Sequence, residues 1–115
     1  MKDRLGDKIR LQHIIDSIEE IKTYLLDSDF EDFRKHSMMK NASIRQLEII
    51  GEACGKISEE VRNENPEVSW KSIIGLRNIL IHKYFGVDER VVWDIIQGDL
   101  PKLEIQIRKI LEEIA

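Results

Sequence analysis

The 115-residue chain has one cysteine, Cys54, so it can form no internal disulfide and no zinc site built of cysteines. Two prolines and six glycines are too few for a loop-rich or all-β fold. No apolar run approaches the ~18 residues of a membrane span. The opening residues, MKDRLGDKIR, lack the apolar stretch of a signal peptide. Positive charge is not in excess either. Eighteen Lys and Arg against 22 Asp and Glu leave a net charge of −4, whereas a protein that coats nucleic acid in general is basic. Any chemistry on nucleic acid must then be confined to a local site. With 42% hydrophobic and 35% charged residues the chain is not disordered, and its length suffices for one core without metal or disulfide. These features predict one soluble domain over residues 1–115, cytoplasmic, with no membrane partner.

Isoleucine is the commonest residue, and apolar residues recur at helical spacing almost throughout. Leu11, Ile14, Ile15, Ile18, Ile21 and Leu25 form the stripe of a first helix, about Asp7 to Leu26. Asp27, Ser28 and Asp29 offer N-caps for a short second helix held by Phe30 and Phe33. A third helix is expected from Met38 to Arg62, with Leu47, Ile50, Cys54, Ile57 and Val61 on one side. Arg45, Glu48, Glu52, Lys56 and Glu59 form its polar row. Gly51 and Gly55 on that helix have the spacing of a close helix–helix contact. Asn65-Pro66 ends it, and Ser69 can cap a fourth helix from Trp70 to Lys83. Asp88 caps a fifth, carrying Val91, Val92, Ile95 and Ile96. Gly98-Asp99-Leu100-Pro101 is expected to break the chain before a last helix with Leu103, Ile107, Ile110, Leu111 and Ile114. The fold class is an all-α up-and-down bundle of four main helices plus one or two short ones.

The fourth helix, in SWKSIIGLRNILIHKYFG, departs from this amphipathic pattern. It is apolar on nearly all sides, which points to burial or to an interface, yet it carries Arg77, Asn78 and His82. On a wheel of about 100° per residue, Trp70, Ile73, Ile74, Leu80, Ile81 and Tyr84 fall within about 60° of Arg77. Asn78 and His82 lie about 100° and 140° away, with Gly75 beside His82. Gly75, Asn78 and His82 thus make a narrow polar strip where a glycine admits close approach. An arginine amid apolar residues needs a carboxylate, a carbonyl or a bound anion. An ion pair with Glu48 or Glu52 of the third helix is one answer. An anion site is the other: arginine grips phosphate bidentately, and histidine moves protons near neutral pH.

The run Arg77-Asn-Ile-Leu-Ile-His82-Lys-Tyr84 resembles the arginine, four residues, histidine, one residue, tyrosine motif of the HepT-like ribonuclease toxins, which belong to the HEPN superfamily. Arg45-Gln-Leu-Glu48-Ile-Ile-Gly51-Glu52-Ala53, the approach Trp70…Ile74-Gly-Leu-Arg77, and Phe85-Gly-Val with Val92-Trp93 are similar too. Cys54 stands where that family commonly has a small residue. The resemblance implies a homodimer in which two motifs line one interface cleft, and metal-independent cleavage of RNA without a cofactor. It implies Arg77 and His82 as the catalytic pair, with Asn78 as the polar residue that follows the arginine; the residues themselves add Gly75 as support and Arg45, Glu48 and Glu52 as candidates for ion pairing. Tyr84 would be adenylylated by a minimal nucleotidyltransferase antitoxin, as in a type VII-like toxin–antitoxin pair.

The residue types suit this chemistry. RNA supplies its own nucleophile, the 2′-OH, so the protein need only move protons and stabilise charge on phosphorus. A near-neutral histidine does the first and an arginine the second. The alternative is a non-catalytic helical dimer that binds nucleotide or acts as partner subunit of a nucleotidyltransferase. His13 and His36 lack partners at metal spacing and are expected at the surface, as is the interrupted cluster Lys2, Arg4, Lys8 and Arg10. Trp70 and Tyr84 are expected in the core or an interface, where they could also stack bases.

Overall fold

The computed structural model describes residues 4–81 and 88–114, and among them all regular structure is helical. The order is α1 (Arg4–Tyr24), α2 (Phe30–Lys35), α3 (Ser37–Gly55), α4 (Glu59–Glu64), α5 (Trp70–Ile81), α6 (Glu89–Asp94), a π turn (Ile95–Asp99) and α7 (Leu100–Ile114). The long helices α1, α3, α5 and α7 are the main elements of the all-α bundle, and α2, α4 and α6 are the short ones. No helix among the described residues is long and apolar enough to cross a membrane.

The expected stripes form the core. Leu11, Ile14, Ile15, Ile18, Ile21 and Leu25 of the first segment are buried, as are Leu47, Ile50, Cys54, Ile57 and Val61 of the third. Val92, Ile96, Leu103, Ile107 and Ile110 close the other side. α1 and α3 run antiparallel: Asp7 meets Ser58 at one end, and Tyr24 accepts a hydrogen bond from Gln46 near the other. Phe33 is fully buried and packs on Trp93 at 5.4 Å between ring centres, which fixes α2 against α6. Asp29 caps α2 in a reciprocal box with Asp32, and Asp88 caps α6 through the N–H groups of Arg90 and Val91.

Two expectations need correction. The segment from Met38 to Arg62 is not one helix. α3 stops at Gly55, and α4 starts after Ser58, whose side chain accepts from the Val61 N–H. The cause lies across the bundle. The buried Asp7 carboxylate accepts from the Ser58 N–H at 2.8 Å and from its hydroxyl at 2.7 Å. Continuing α3 would give up both bonds. Nor does the chain break at Gly98-Asp99-Leu100-Pro101. The backbone stays helical through a wide turn in which the Leu100 N–H reaches the Ile95 carbonyl. That turn absorbs Pro101, whose missing N–H would interrupt an ordinary α-helical ladder.

A four-membered ionic clasp joins α1 to α7. Lys22 and Arg108 both contact Glu19 and Glu104, at 2.8 to 3.5 Å. Burial pushes the Glu104 carboxyl up, but hydrogen bonds from Arg108 and Lys22, with their charge, outweigh it and hold the group below its ordinary 4.5. A carboxyl depressed in the folded state stabilises above its unfolded pKa, and that contribution fades as pH falls through the folded value. Acid titration of the melting temperature should therefore show an α1–α7 contribution lost below about pH 4.5, and Glu104→Gln should remove that part of the acid limb. Asp7→Ala strands two donors of Ser58 and should cost about 1–3 kcal/mol in denaturant melts. Asp7→Asn, which keeps one acceptor, should recover part of the loss.

Candidate active site

α5 is set in place by its first turn. The buried Trp70 donates its indole N–H to the Asn65 carbonyl at 2.9 Å, and the Ile73 N–H bonds the Ser69 carbonyl. Asn65 in turn donates its side-chain amide to the Val61 carbonyl at 2.9 Å, so the α4–α5 corner is held by hydrogen bonds on both sides. Trp70 is a core residue, 7% exposed, and its face is not free to stack a base.

The buried side of α5 consists of Trp70, Leu76 and Leu80, with Ile73 and Ile74 half-buried at its edges. On the wheel these three centre about 50° from Arg77. Leu76 takes part in the core and draws the centre of the buried side toward itself. The opposite flank is open: Lys71, Ser72 and Asn78 are exposed, and Gly75 is half-buried. A Cβ built on Gly75 meets nothing within 4 Å among the described residues, whereas one on Gly55 would touch Ile74 at 4.0 Å. Gly51, one turn before Gly55, is buried in α3. The glycine pair of α3 thus lies on the packed side of the bundle, while Gly75 lies on an unpacked one.

Of the expected site residues, Gly75, Arg77 and Asn78 fall within one turn of α5. His82 and Tyr84 lie outside the described residues, between the end of α5 and the Asp88 cap of α6. Their flanks are well anchored. Lys40 of α3 binds Glu89 at 2.6 Å, and Arg90 stacks over Phe30 at 4.8 Å. Arg45 and Glu48 come together as an exposed i,i+3 pair at 3.4 Å. Glu52 instead lines a groove between α1 and α3 with Arg10, His13 and Lys56. His13 is exposed; His36 is exposed too, and its Nδ1 accepts from the Met39 N–H and so caps α3. Burial pushes the Cys54 thiol up to about 12. Among the described residues no three His, Cys, Asp or Glu side chains are grouped to hold a metal ion.

One cationic feature was not legible in the sequence. Arg62 of α4 and Lys71 of α5 face a common open cavity, and Arg62 looked like the tail of a longer α3 until the Ser58 break turned it away. The available signal was Ser58-Glu59-Glu60, an N-cap followed by first-turn acids.

Gly75→Ala should leave the fold intact and raise its stability by about 0.4–1 kcal/mol, since helical backbone and open space both accept a methyl. Thermal unfolding checks this. A bulky Gly75→Trp should fold equally well, so any loss of association or activity in it reports on the surface and not on the core.

The family model described as Ribonuclease HepT-like matches residues 14–110. A Methanocaldococcus jannaschii protein named "Putative RNase" is 42% identical over 100 residues, covering 87% of this chain and 92% of that relative. A Thermococcus cleftensis protein named "Probable ribonuclease HepT" is 39% identical over 100 residues, covering 87% of this chain and 91% of that one. A longer M. jannaschii protein, named "Gamma-glutamylcyclotransferase and putative RNase", is 43% identical over 107 residues. The match covers 93% of this chain, which spans about half of that relative, 48% of its length. No solved structure is significantly similar.

Proposed function

Because the chain belongs to the HepT-like ribonuclease family, we propose that it is a metal-independent endoribonuclease that cuts RNA in a cleft between two copies of itself. The observation that carries this is the run from Arg77 to Tyr84, which lies inside the matched residues 14–110. The open flank of α5 supports the two-chain arrangement. Gly75 and Asn78 have no covering element among the described residues, and helix surfaces with apolar neighbours tend to be closed by a second subunit.

In this reaction the 2′-OH next to the scissile phosphate attacks phosphorus and the 5′ oxygen leaves. The products are a 2′,3′-cyclic phosphate and a free 5′-hydroxyl. One His82 imidazole takes the 2′ proton and a second protonates the departing oxygen, which a dimer supplies from opposite sides. Arg77 faces the equatorial oxygens with its fork of donors and stabilises the extra negative charge of the transition state. Asn78 adds a neutral donor, and Gly75 leaves room for the backbones to approach.

Tyr84 is the regulatory handle in this proposal. A nucleotidyltransferase antitoxin would transfer AMP from ATP onto its hydroxyl, releasing pyrophosphate. The attached phosphodiester anion then competes with RNA for Arg77, and the adenosine blocks entry.

Purified, unmodified protein incubated with RNA in EDTA should cleave it and leave cyclic phosphate ends. His82→Ala should lose about 10²–10⁴ in rate. Arg77→Lys should also be poor, because a point charge does not replace the bidentate fork. Full activity in a folded Arg77→Ala protein, or intact RNA with wild type, would overturn the assignment; intact RNA with a tight nucleotide complex would favour the non-catalytic dimer. Light scattering should give a dimer at micromolar concentration. Co-expression with a cognate nucleotidyltransferase should add AMP at Tyr84, seen by intact mass, and Tyr84→Phe should cut RNA yet escape silencing.

A further inference from the structure

We propose that the corner between α4 and α5 is a second phosphate-binding subsite, where Arg62 and Lys71 hold a backbone phosphate of the RNA strand away from the bond that is cut. This inference rests on the ribonuclease reading above and extends it along the strand.

The corner encloses an open cavity of about 720 Å³ lined by Arg62, Asn63, Ser69, Lys71 and Ser72, among others. Seven cations elsewhere, namely Lys22, Arg34, Lys35, Lys40, Arg45, Arg90 and Arg108, each sit within 4 Å of a carboxylate. The cavity's two cations, Arg62 and Lys71, like Lys8, Lys56, Lys102 and Lys109, have no carboxylate within 4 Å among the described residues, although Glu59 also lines the cavity. The Nε of Arg62 is closed to solvent and has no hydrogen-bond acceptor among the described residues. A phosphate from outside would therefore be gripped by the terminal nitrogens of the guanidinium and not by Nε. The hydrogen bonds through Asn65 and Trp70 hold the corner rigid, so that charge is positioned in advance.

Location decides what the acceptor is. Lys71, Ile74 and Asn78 follow one face of α5 at steps of three and four, and the cavity reaches Ile74. Lys71 and Asn78 are therefore about 10 Å apart along the helix axis. A single strand whose scissile phosphate is held near Asn78 passes over the cavity a nucleotide or two away. Arg62 offers paired donors to a phosphate, Lys71 a mobile charge, and Asn63, Ser69 and Ser72 neutral hydrogen-bonding groups. Such contacts fix the strand's register and carry no base specificity. They also explain how a chain of net charge −4 holds a polyanion: by a short cationic track and not by overall charge.

The test uses the full-length protein and a single-stranded RNA made uncleavable by 2′-O-methylation, with affinity followed by anisotropy across a salt series. Each phosphate contact to a single strand contributes about −0.7 to the slope of log affinity against log salt. Arg62→Gln with Lys71→Gln should therefore make that slope shallower by about 1.4. The exposed Lys71→Gln alone should change it by about 0.7, which keeps the test alive if the Arg62 variant unfolds. Lys109→Gln, on the exposed side of α7, should bind as wild type. With cleavable RNA the double variant should raise KM for a long strand while leaving cleavage of a dinucleotide unchanged. Wild-type slope and KM in a folded double variant would overturn the subsite and leave the ribonuclease reading standing. If wild type itself neither binds nor cuts RNA, the ribonuclease reading fails and the subsite with it.

Discussion

The buried carboxylate of Asp7, on the first turn of α1, accepts two hydrogen bonds from Ser58, and the course of the chain to α5 follows from that contact. It makes ending α3 at Gly55 more favourable than continuing it. It frees Ser58 to cap α4, and α4 delivers Asn65 to the indole of Trp70. α5 thus starts from a corner fixed by hydrogen bonds rather than from a loose loop. The direction in which Gly75 and Asn78 face is set some seventy residues upstream, by one side chain on another helix.

Burial and exposure on α5 divide the labour of that helix. Trp70, Leu76 and Leu80 hold it to the core, while Lys71, Ser72 and Asn78 stay in contact with water. Because only one face is packed, the helix is anchored while those three residues stay exposed. A site built on a helix already held by three large side chains keeps its spacing when one flank meets a substrate or a second chain.

How much was legible in the sequence varied with the range of the forces involved. Periodic stripes are local, and Leu11 to Leu25 and Leu47 to Val61 identified their buried sides correctly. Caps are local too, as at Asp29 and Asp88. The break at Ser58 was not legible, because Asp7 lies fifty-one positions away and its carboxylate gives no periodic signal. The π turn was hidden for a related reason: Gly98 and Pro101 announce a break, and only the packing of Ile96 and Leu100 keeps the backbone helical. For the candidate site, the run from Arg77 to Tyr84 was plain in sequence, whereas Arg62 and Lys71 come together only through the corner between two helices.

Cys54 has a consequence of a practical kind. The thiolate is the reactive form of cysteine, and a thiol pushed up to about 12 is charged in about one molecule in 10⁵ at pH 7. It is also enclosed in the core near the end of α3, with no accessible surface. For alkylating or spin-labelling reagents the native chain therefore behaves as though it had no cysteine at all. A single cysteine introduced on the open flank of α5 would be the one addressable thiol, and its distance to its counterpart in a second copy could be measured without altering any native side chain in the core.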